Sequence, residues 1–149
     1  MRSVVQRVRE CSVSVDGEII SSIRSGLLVY LGVTHEDNEK DAEYIAEKVV
    51  NLRVFPDELG KMNLSAADLG REIIVVSQFT LYADVRKGRR PSYDSAARPE
   101  HAQSLYELVI RMITERGLST CGGKFQAKMD VRYVNEGPIT ILIDSKKQF

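Results

Sequence analysis

The chain has 149 residues, a length that predicts one domain able to bury roughly two-thirds of its unfolded surface. Its 21 basic and 21 acidic residues exclude a nucleic-acid binder that works by overall charge, so any RNA contact must be local. Two cysteines make no disulfide framework, no segment resembles a signal peptide and no apolar run could span a bilayer, so we expect a cytoplasmic protein.

The first strand patterns lie near the start of the chain. Residues 11–15 alternate with a period of two and lead into Asp16-Gly17, a strong signal for a two-residue hairpin turn. We therefore predict a hairpin whose second strand begins at residues 18–20. The apolar run 27–33 is nearly continuous, which is typical of a strand covered on both faces.

A helix and a further strand are predicted in the middle of the chain. Asp37 or Asn38 can cap a helix that ends before Pro56. The core-facing residues of this helix would be Ala42, Ile45, Ala46, Val49 and Leu52. The apolar run 73–76 has the same character as 27–33 and predicts a second buried strand.

The last third of the chain predicts a second helix and a final strand. Pro99 fits the first turn of the helix and Gly117 can cap its end. The core-facing residues of this helix would be Ala102, Leu105, Tyr106, Val109, Ile110 and Ile113. Isoleucines alternate with other residues over 139–143, as in a strand. Because nothing marks a domain boundary, we predict a single α/β domain over 1–149, with a strongly curved, barrel-like sheet covered by two main helices.

Two short motifs carry most of the functional information. Ser77-Gln78-Phe79-Thr80-Leu81 follows an apolar run, and Asn135-Glu136-Gly137-Pro138-Ile139-Thr140 precedes another, so each is expected at a strand end. Proline lacks a backbone N–H, and X-Pro is the one bond at which a cis peptide is cheap. Gly137-Pro138 therefore predicts a tight bend that can direct main-chain carbonyls at a ligand.

Together, and in this order, the two motifs resemble those of the D-aminoacyl-tRNA deacylases, enzymes that free tRNA from D-amino acids. The resemblance covers almost the whole chain. One departure is Glu136, where the family usually has Asp, and this is a small change on a turn. Four further segments carry the resemblance: residues 1–8, 60–65, 87–92 and 124–140.

The resemblance implies a homodimer that hydrolyses the ester of D-aminoacyl-tRNA, and also glycine misattached to the tRNA for alanine. This ester is already activated, and the neighbouring ribose 2′-hydroxyl can assist attack on its carbonyl. The protein then has to hold the ester and stabilise the developing oxyanion, which backbone N–H groups can do. We expect catalysis that depends on the RNA and needs no cofactor.

Side chains for other kinds of catalysis are scarce. The two histidines, His35 and His101, stand outside any Cys/His/carboxylate pattern with metal-ligand spacing, so we expect no metal site. We expect His101 to be exposed and His35 to lie in a loop near a helix cap. The chain has no Gly-x-Ser-x-Gly nucleophile elbow and no glycine-rich phosphate loop, although a Ser-His-Asp triad stays open from the sequence.

The first motif supplies the catalytic candidates Ser77, Gln78, Phe79 and Thr80. Backbone N–H groups around Phe79 and Thr80 would bind the oxyanion. The Thr80 hydroxyl is either a nucleophile or a positioning group, and we favour positioning because a strand threonine often only satisfies a neighbouring carbonyl. Ser77 and Gln78 would point to opposite faces, with Gln78 as a brace of the turn. Phe79 belongs either to the core or to the pocket wall.

The second motif is where the family's selectivity is thought to lie. The carbonyls of Gly137 and Pro138 would accept hydrogen bonds from the substrate's α-ammonium group, so that an L side chain would collide with the motif. The resemblance implies that this pair enters the partner subunit's site, with Arg7 helping to fix it. Met129 and Phe125 would line the pocket entrance, with core packing as the alternative for both.

Two other readings of the chain remain open. One is a non-catalytic RNA-binding module that uses the basic loop Arg86 to Arg90, which by composition alone is a solvated loop. The other is a structural dimer without a ligand. Both readings lack ester hydrolysis, so an assay with D-aminoacyl-tRNA separates them from the deacylase.

Overall fold

The first strand organises the main sheet. In the computed structural model, which describes all 149 residues, β1 pairs with β2 and β3 along its two halves and with β8 as well. The pairs β3–β6 and β6–β7 are parallel, and the others of this sheet are antiparallel. The resulting sheet is nearly closed and barrel-like. Its strands are β1 Arg2–Val15, β2 Glu18–Ile23, β3 Gly26–Gly32, β6 Glu72–Ser77, β7 Thr120–Gly122 and β8 Asp130–Asp144, while β4 Phe55–Pro56 and β5 Met62–Leu64 form a separate small pair.

The predicted hairpin and the predicted buried strands are confirmed. Asp16 and Gly17 form the turn between β1 and β2, both with positive φ, and Val15 pairs with Glu18 across it. In β3, Leu27 and Val29 pack in a cluster with the helices, while Leu28 packs in a second cluster built from strands. Both faces of β3 are therefore covered, as its unbroken apolar run predicts.

The first helix, α1, spans Glu39–Asn51 and is capped by Asn38 rather than Asp37. The Asn38 side chain accepts from Lys40 N, and Asn38 N donates to the Asp41 carboxylate, which makes a capping box. Asp37 instead accepts a hydrogen bond from Thr34 N. The predicted core face is confirmed over its first four residues, whereas Leu52 lies just beyond the helix end.

The second long helix, α3, spans Pro99–Glu115 and starts at the predicted proline. Gly117 follows its end with φ +86°, a conformation that favours glycine. A short helix that the sequence reading missed, α2, spans Ala66–Leu69 and is capped by Ser65. The structure thus has the two predicted main helices and a third helix that is only one turn long. No helix has the length and apolar character that crossing a lipid bilayer requires.

The strand end predicted at the first motif is confirmed, but it lies at Ser77 rather than at Phe79 and Thr80. Strand β6 ends at Ser77, and Phe79–Tyr82 form one turn of 3-10 helix. Gln78 N makes the last bond to β3, donating to Leu31 O at 2.8 Å. Beyond it the chain bonds to itself, since Leu81 N donates to Gln78 O and Ala83 N to Thr80 O. Local turn bonds therefore replace the ladder where the neighbouring strand β3 also ends.

Candidate active site

A cavity of about 530 Å³ lies beyond the carboxyl ends of β3 and β6. Parallel strands end at the same edge of a sheet, so this is the usual position of a ligand site in such an arrangement. The cavity is mostly apolar, with a few polar groups from the turn after β6. Its lining residues come from the ends of β3 and β6, from α3, and from the loop 125–129 with the start of β8.

The turn after β6 supplies the polar side of the cavity. Ser77, Gln78 and Phe79 all line it, so alternation along a strand does not apply here. The N–H groups of Phe79 and Thr80 donate to no backbone acceptor, as expected for the first residues of a helical turn. Two free donors thus lie in the turn that borders the cavity.

Thr80 does not line the cavity, and its hydroxyl is hydrogen-bonded to another side chain of the same turn. The Gln78 side-chain amide donates to the Thr80 hydroxyl. A nucleophilic threonine needs a neighbouring group that accepts its proton, and an amide does not do so. This geometry favours the positioning role for Thr80 over the nucleophilic one, and it makes Gln78 the predicted brace of the turn.

Phe125 and Met129 both line the cavity and are both half-buried. Phe125 packs on the main core and lies 5.9 Å from the Tyr106 ring between centroids, whereas Met129 packs on the strand cluster. Each residue therefore does both things that the sequence left as alternatives: it lines the cavity and it packs against the core.

Tyr106 is a wall residue that sequence reasoning placed only in the core. It is buried, lines the cavity, and donates its hydroxyl to Val75 O at 2.8 Å. Burial raises the pKa of this hydroxyl to about 12, so at neutral pH it is a neutral donor and not a base. A Cβ at Gly122 would lie 2.5 Å from the same hydroxyl, which explains the glycine. Helical spacing alone gives no signal for such a bond from a helix to a strand.

Gly137 and Pro138 form an exposed bulge in β8. Two steps along β1, from Gln6 to Val8, face five steps along β8, from Thr140 to Asn135. Gly137 has φ +120°, and the peptide bond between Gly137 and Pro138 is cis. The bulge therefore presents its backbone to solvent instead of to the ladder.

Arg7 lies against this bulge. Its Nη1 donates to Val54 O at 2.5 Å, and its Nε is 3.5 Å from the Glu136 carboxylate. A Cβ on Gly137 would lie 3.2 Å from Arg7 Nη2. Arg7 is thus held on one side by the β4 region and on the other by the motif. Glu136, the departure from the family pattern, keeps an acidic partner for this arginine.

The structure brings some of the predicted site residues together and separates others. Ser77, Gln78, Phe79, Phe125 and Met129 share the cavity wall. The remaining four, Gly137, Pro138, Arg7 and Thr80, are not among the residues that line it. Within one chain, the two motifs therefore do not form a single pocket.

The histidines lie where the sequence predicts them. His101 is exposed, and its Nε2 is 2.9 Å from Asp37 O. His35 is exposed in the loop before α1, with its Nε2 2.9 Å from Asp94 O. Each ring is bonded to a backbone carbonyl, and neither is bonded to a side chain of the cavity. No group of three or more His, Cys, Asp or Glu side chains is arranged to hold a metal ion.

The known sequences that are similar to this chain point to one family. The sequence profile of the family described as D-Tyr-tRNA(Tyr) deacylase matches residues 4–144. A D-aminoacyl-tRNA deacylase of Koribacter versatilis (strain Ellin345) is 58% identical over 149 residues, 100% of both chains. A D-aminoacyl-tRNA deacylase of Brevibacillus brevis is 54% identical over 145 residues, 97% of this chain and 100% of the relative.

Comparison with solved structures gives the same architecture. A chain described as a c-Myc DNA Unwinding Element Binding Protein aligns with a TM-score of 0.90 and 42% identity, over 97% of this chain and 98% of its own. A chain described as a probable eukaryotic D-amino acid tRNA deacylase aligns with a TM-score of 0.84 over 95% of this chain and 97% of its own. At 15% identity, the second match is evidence of the fold alone.

Proposed function

This chain belongs to the D-Tyr-tRNA(Tyr) deacylase family and is a D-aminoacyl-tRNA deacylase, and from that premise we propose how it selects and cleaves its ester. Water attacks the carbonyl that joins a D-amino acid to the terminal ribose of tRNA. The carbonyl–ribose bond breaks, the ribose oxygen takes up a proton, and D-amino acid and tRNA are released. The observation that carries this proposal is the apolar cavity bordered by the turn of Ser77 to Thr80.

The 3′ end of the tRNA occupies the cavity, with Phe125 and Met129 as walls. This places the ester beside the turn after β6, where the free N–H groups of Phe79 and Thr80 stabilise the oxyanion. Removing one such donor from an enzyme typically lowers the rate by about 10²–10³. Ser77 and Gln78 position the turn and the attacking water.

The vicinal 2′-hydroxyl of the ribose assists the attack, so the chain needs no protein nucleophile. Support comes from the contacts of the candidate side chains. Thr80 is bonded to an amide, and both histidines are bonded to backbone carbonyls. No acid–base pair borders the cavity wall.

Gly137 and Pro138 reject L-amino acids. Their carbonyls accept hydrogen bonds from the substrate's α-ammonium group, and an L side chain in that position collides with the motif. Both residues of the bulge are exposed, which supports this role. The ion pair between Arg7 and Glu136 supports the bulge. Selection by collision also admits glycine, and we therefore include glycyl-tRNA(Ala) among the substrates.

The enzyme acts as a homodimer in the cytoplasm, where tRNA is charged. The motif of one subunit completes the cavity of the other. This arrangement accounts for the separation of the two motifs within one chain, since Gly137 and Pro138 do not line the chain's own cavity. In this dimer, the exposed bulge contacts the other subunit.

The deciding experiment incubates the protein with D-tyrosyl-tRNA and, separately, with L-tyrosyl-tRNA. We expect free D-tyrosine and intact L-tyrosyl-tRNA. Binding of both without release would instead support a non-catalytic RNA-binding module that uses Arg86 to Arg90. The absence of both binding and release would leave only a structural role.

A further inference from the structure

Residues 84–92, which we name the basic arm, form a closed loop that ends directly before Tyr93. Asp84 and Ser92 close its base through two backbone bonds, Asp84 N to Ser92 O at 2.8 Å and Ser92 N to Asp84 O at 3.0 Å. Gly88 turns the tip with φ +70°. All residues from 85 to 90 are exposed. The arm is therefore a defined projection with a fixed base.

The four basic side chains of the arm fall into two kinds. Arg86 Nη2 and Nε lie 2.6 and 2.9 Å from the Asp84 carboxylate oxygens, and this contact lowers the pKa of Asp84 to about 2. Lys87, Arg89 and Arg90 take part in no ion pair. Arg86 is thus neutralised within the arm, and three cations remain free at its tip.

The arm is joined to the cavity at its C-terminal side. Tyr93, the residue after the arm, packs edge-to-face on Phe79 with ring centroids 5.1 Å apart. Phe79 itself lines the cavity. Thr34 Oγ1 donates to Ser95 O at 2.5 Å and anchors the same segment to the end of β3. A polyanion whose end occupies the cavity would therefore pass close to the arm.

We propose that Lys87, Arg89 and Arg90 bind backbone phosphates of the tRNA acceptor stem, and that Arg86 only shapes the arm. This assignment rests on the proposed function, which puts the 3′ end of tRNA in the cavity. The chain has no net charge, so RNA attraction has to come from a local concentration of unpaired cations such as this one. The contacts hold the backbone and carry no sequence information.

The test measures binding of uncharged tRNA between about 50 and 200 mM salt by fluorescence anisotropy. The variant Lys87→Gln/Arg89→Gln/Arg90→Gln should bind at least ~10-fold more weakly at low salt. The slope of log affinity against log salt should become less steep by about two to three, one unit for each lost phosphate contact. With D-tyrosyl-tRNA, the same variant should raise KM and leave kcat unchanged.

Two control variants separate the arm from general charge effects. Lys40→Gln/Lys48→Gln/Arg111→Gln removes three exposed cations from α1 and α3, and it should leave the affinity and the slope unchanged. Asp84→Asn/Arg86→Gln removes the neutralised pair, and it should keep the slope of the wild type.

The outcomes distinguish the arm from the enzyme activity. An arm variant that keeps wild-type affinity and slope overturns the arm assignment, even if D-tyrosine is released. A control triple variant that loses as much tRNA affinity as the arm variant overturns it as well. Equal affinity of the wild type for a DNA duplex at the same salt overturns the assignment to tRNA. A wild type that releases no D-tyrosine refutes the proposed function, while tRNA binding still decides whether the arm holds RNA.

Discussion

Asn135 Nδ2 donates to the Arg7 carbonyl oxygen across 3.0 Å and ties β8 to β1 at the base of the Gly137-Pro138 bulge. The same nitrogen donates to Ile139 O, also at 3.0 Å, so one amide spans the bulge from end to end. The motif is therefore held by a side chain that lies outside the cavity. Asn135 belongs to the second sequence motif, but its bridging role depends on the bulge, which the sequence does not reveal.

Replacing Asn135 tests whether this bridge positions the motif. Asn135→Asp keeps the shape of the side chain but places a carboxylate opposite two carbonyl oxygens. We expect a loss of about 1–3 kcal/mol of stability in urea unfolding, together with a fall of at least ~10-fold in kcat/KM for D-tyrosyl-tRNA, about 1.4 kcal/mol. Thr140→Ala is the matched control, because it removes an exposed cross-strand bond from Gln6 and should change stability by less than about 0.5 kcal/mol. Full activity of Asn135→Asp would show that the bridge does not matter for the site.

A second prediction concerns the source of the chemistry. Thr80→Val keeps the shape of the side chain and removes its hydroxyl, which in the structure only accepts from Gln78. We expect a modest loss of kcat, below about 10-fold. A D-aminoacyl-tRNA that ends in 2′-deoxyadenosine should be a very poor substrate for the wild type. Full activity on that deoxy substrate, or an acyl group trapped on Thr80, would refute the RNA-assisted mechanism.

A third prediction tests whether two subunits share each site. Gly137→Ala damages the motif, because the new Cβ would lie 2.9 Å from Ile139 Cγ1 at a φ of +120°. Phe79→Ala damages the cavity wall. Refolded together, the two variants should recover about a quarter of wild-type activity, since half of the dimers are mixed and one of their two sites is intact. A tagged pull-down confirms mixed dimers, and mixed dimers without recovered activity would place both motifs in the same chain's site.

A fourth prediction concerns the two free cysteines. Burial raises the pKa of Cys11 to about 12 and also raises that of Cys121. At pH 8, the thiolate fraction of Cys11 is then roughly a thousandfold below that of an ordinary thiol. Both thiols should react slowly with a disulfide reagent in the native protein and quickly in urea. Rapid labelling of Cys11 under native conditions would contradict its burial.

The same shift has a consequence for stability at high pH. A raised pKa means that the folded state favours the protonated thiol. The stabilisation is therefore complete below the unfolded pKa near 9 and is lost as the pH rises from there towards 12. Thermal unfolding of the wild type and Cys11→Ala across this range measures the contribution, and the variant should lose less stability than the wild type.

The features that the sequence predicts well are those decided by neighbouring residues. The Asp16-Gly17 turn and the start of α3 at Pro99 depend on local backbone preferences, and both are where the sequence places them. The exact end of β6 at Ser77 depends instead on β3 ending beside it, and the apolar run 73–76 alone does not show that the chain turns directly after Ser77. Long-range pairing also decides the bulge in β8 and the bond from Tyr106 to Val75. The sequence therefore identifies both motifs, and the resemblance implies that they act in different subunits, whereas the bulge that exposes Gly137 and Pro138 depends on pairing that the sequence does not show.

The pairing of β1 with β8 constrains how this protein is made. Ser3 pairs with Ile143, so β1 gains its neighbour on this edge only when β8, far along the chain, has formed, whereas β2 and β3 cover its other edge earlier. Until then, one edge of β1 is an open template for other chains. Contacts this distant in sequence form slowly, because a long loop has to close before they stabilise anything. The barrel therefore closes only when β8 joins β1, and aggregation of chains in which this pairing is still missing is the hazard of this topology.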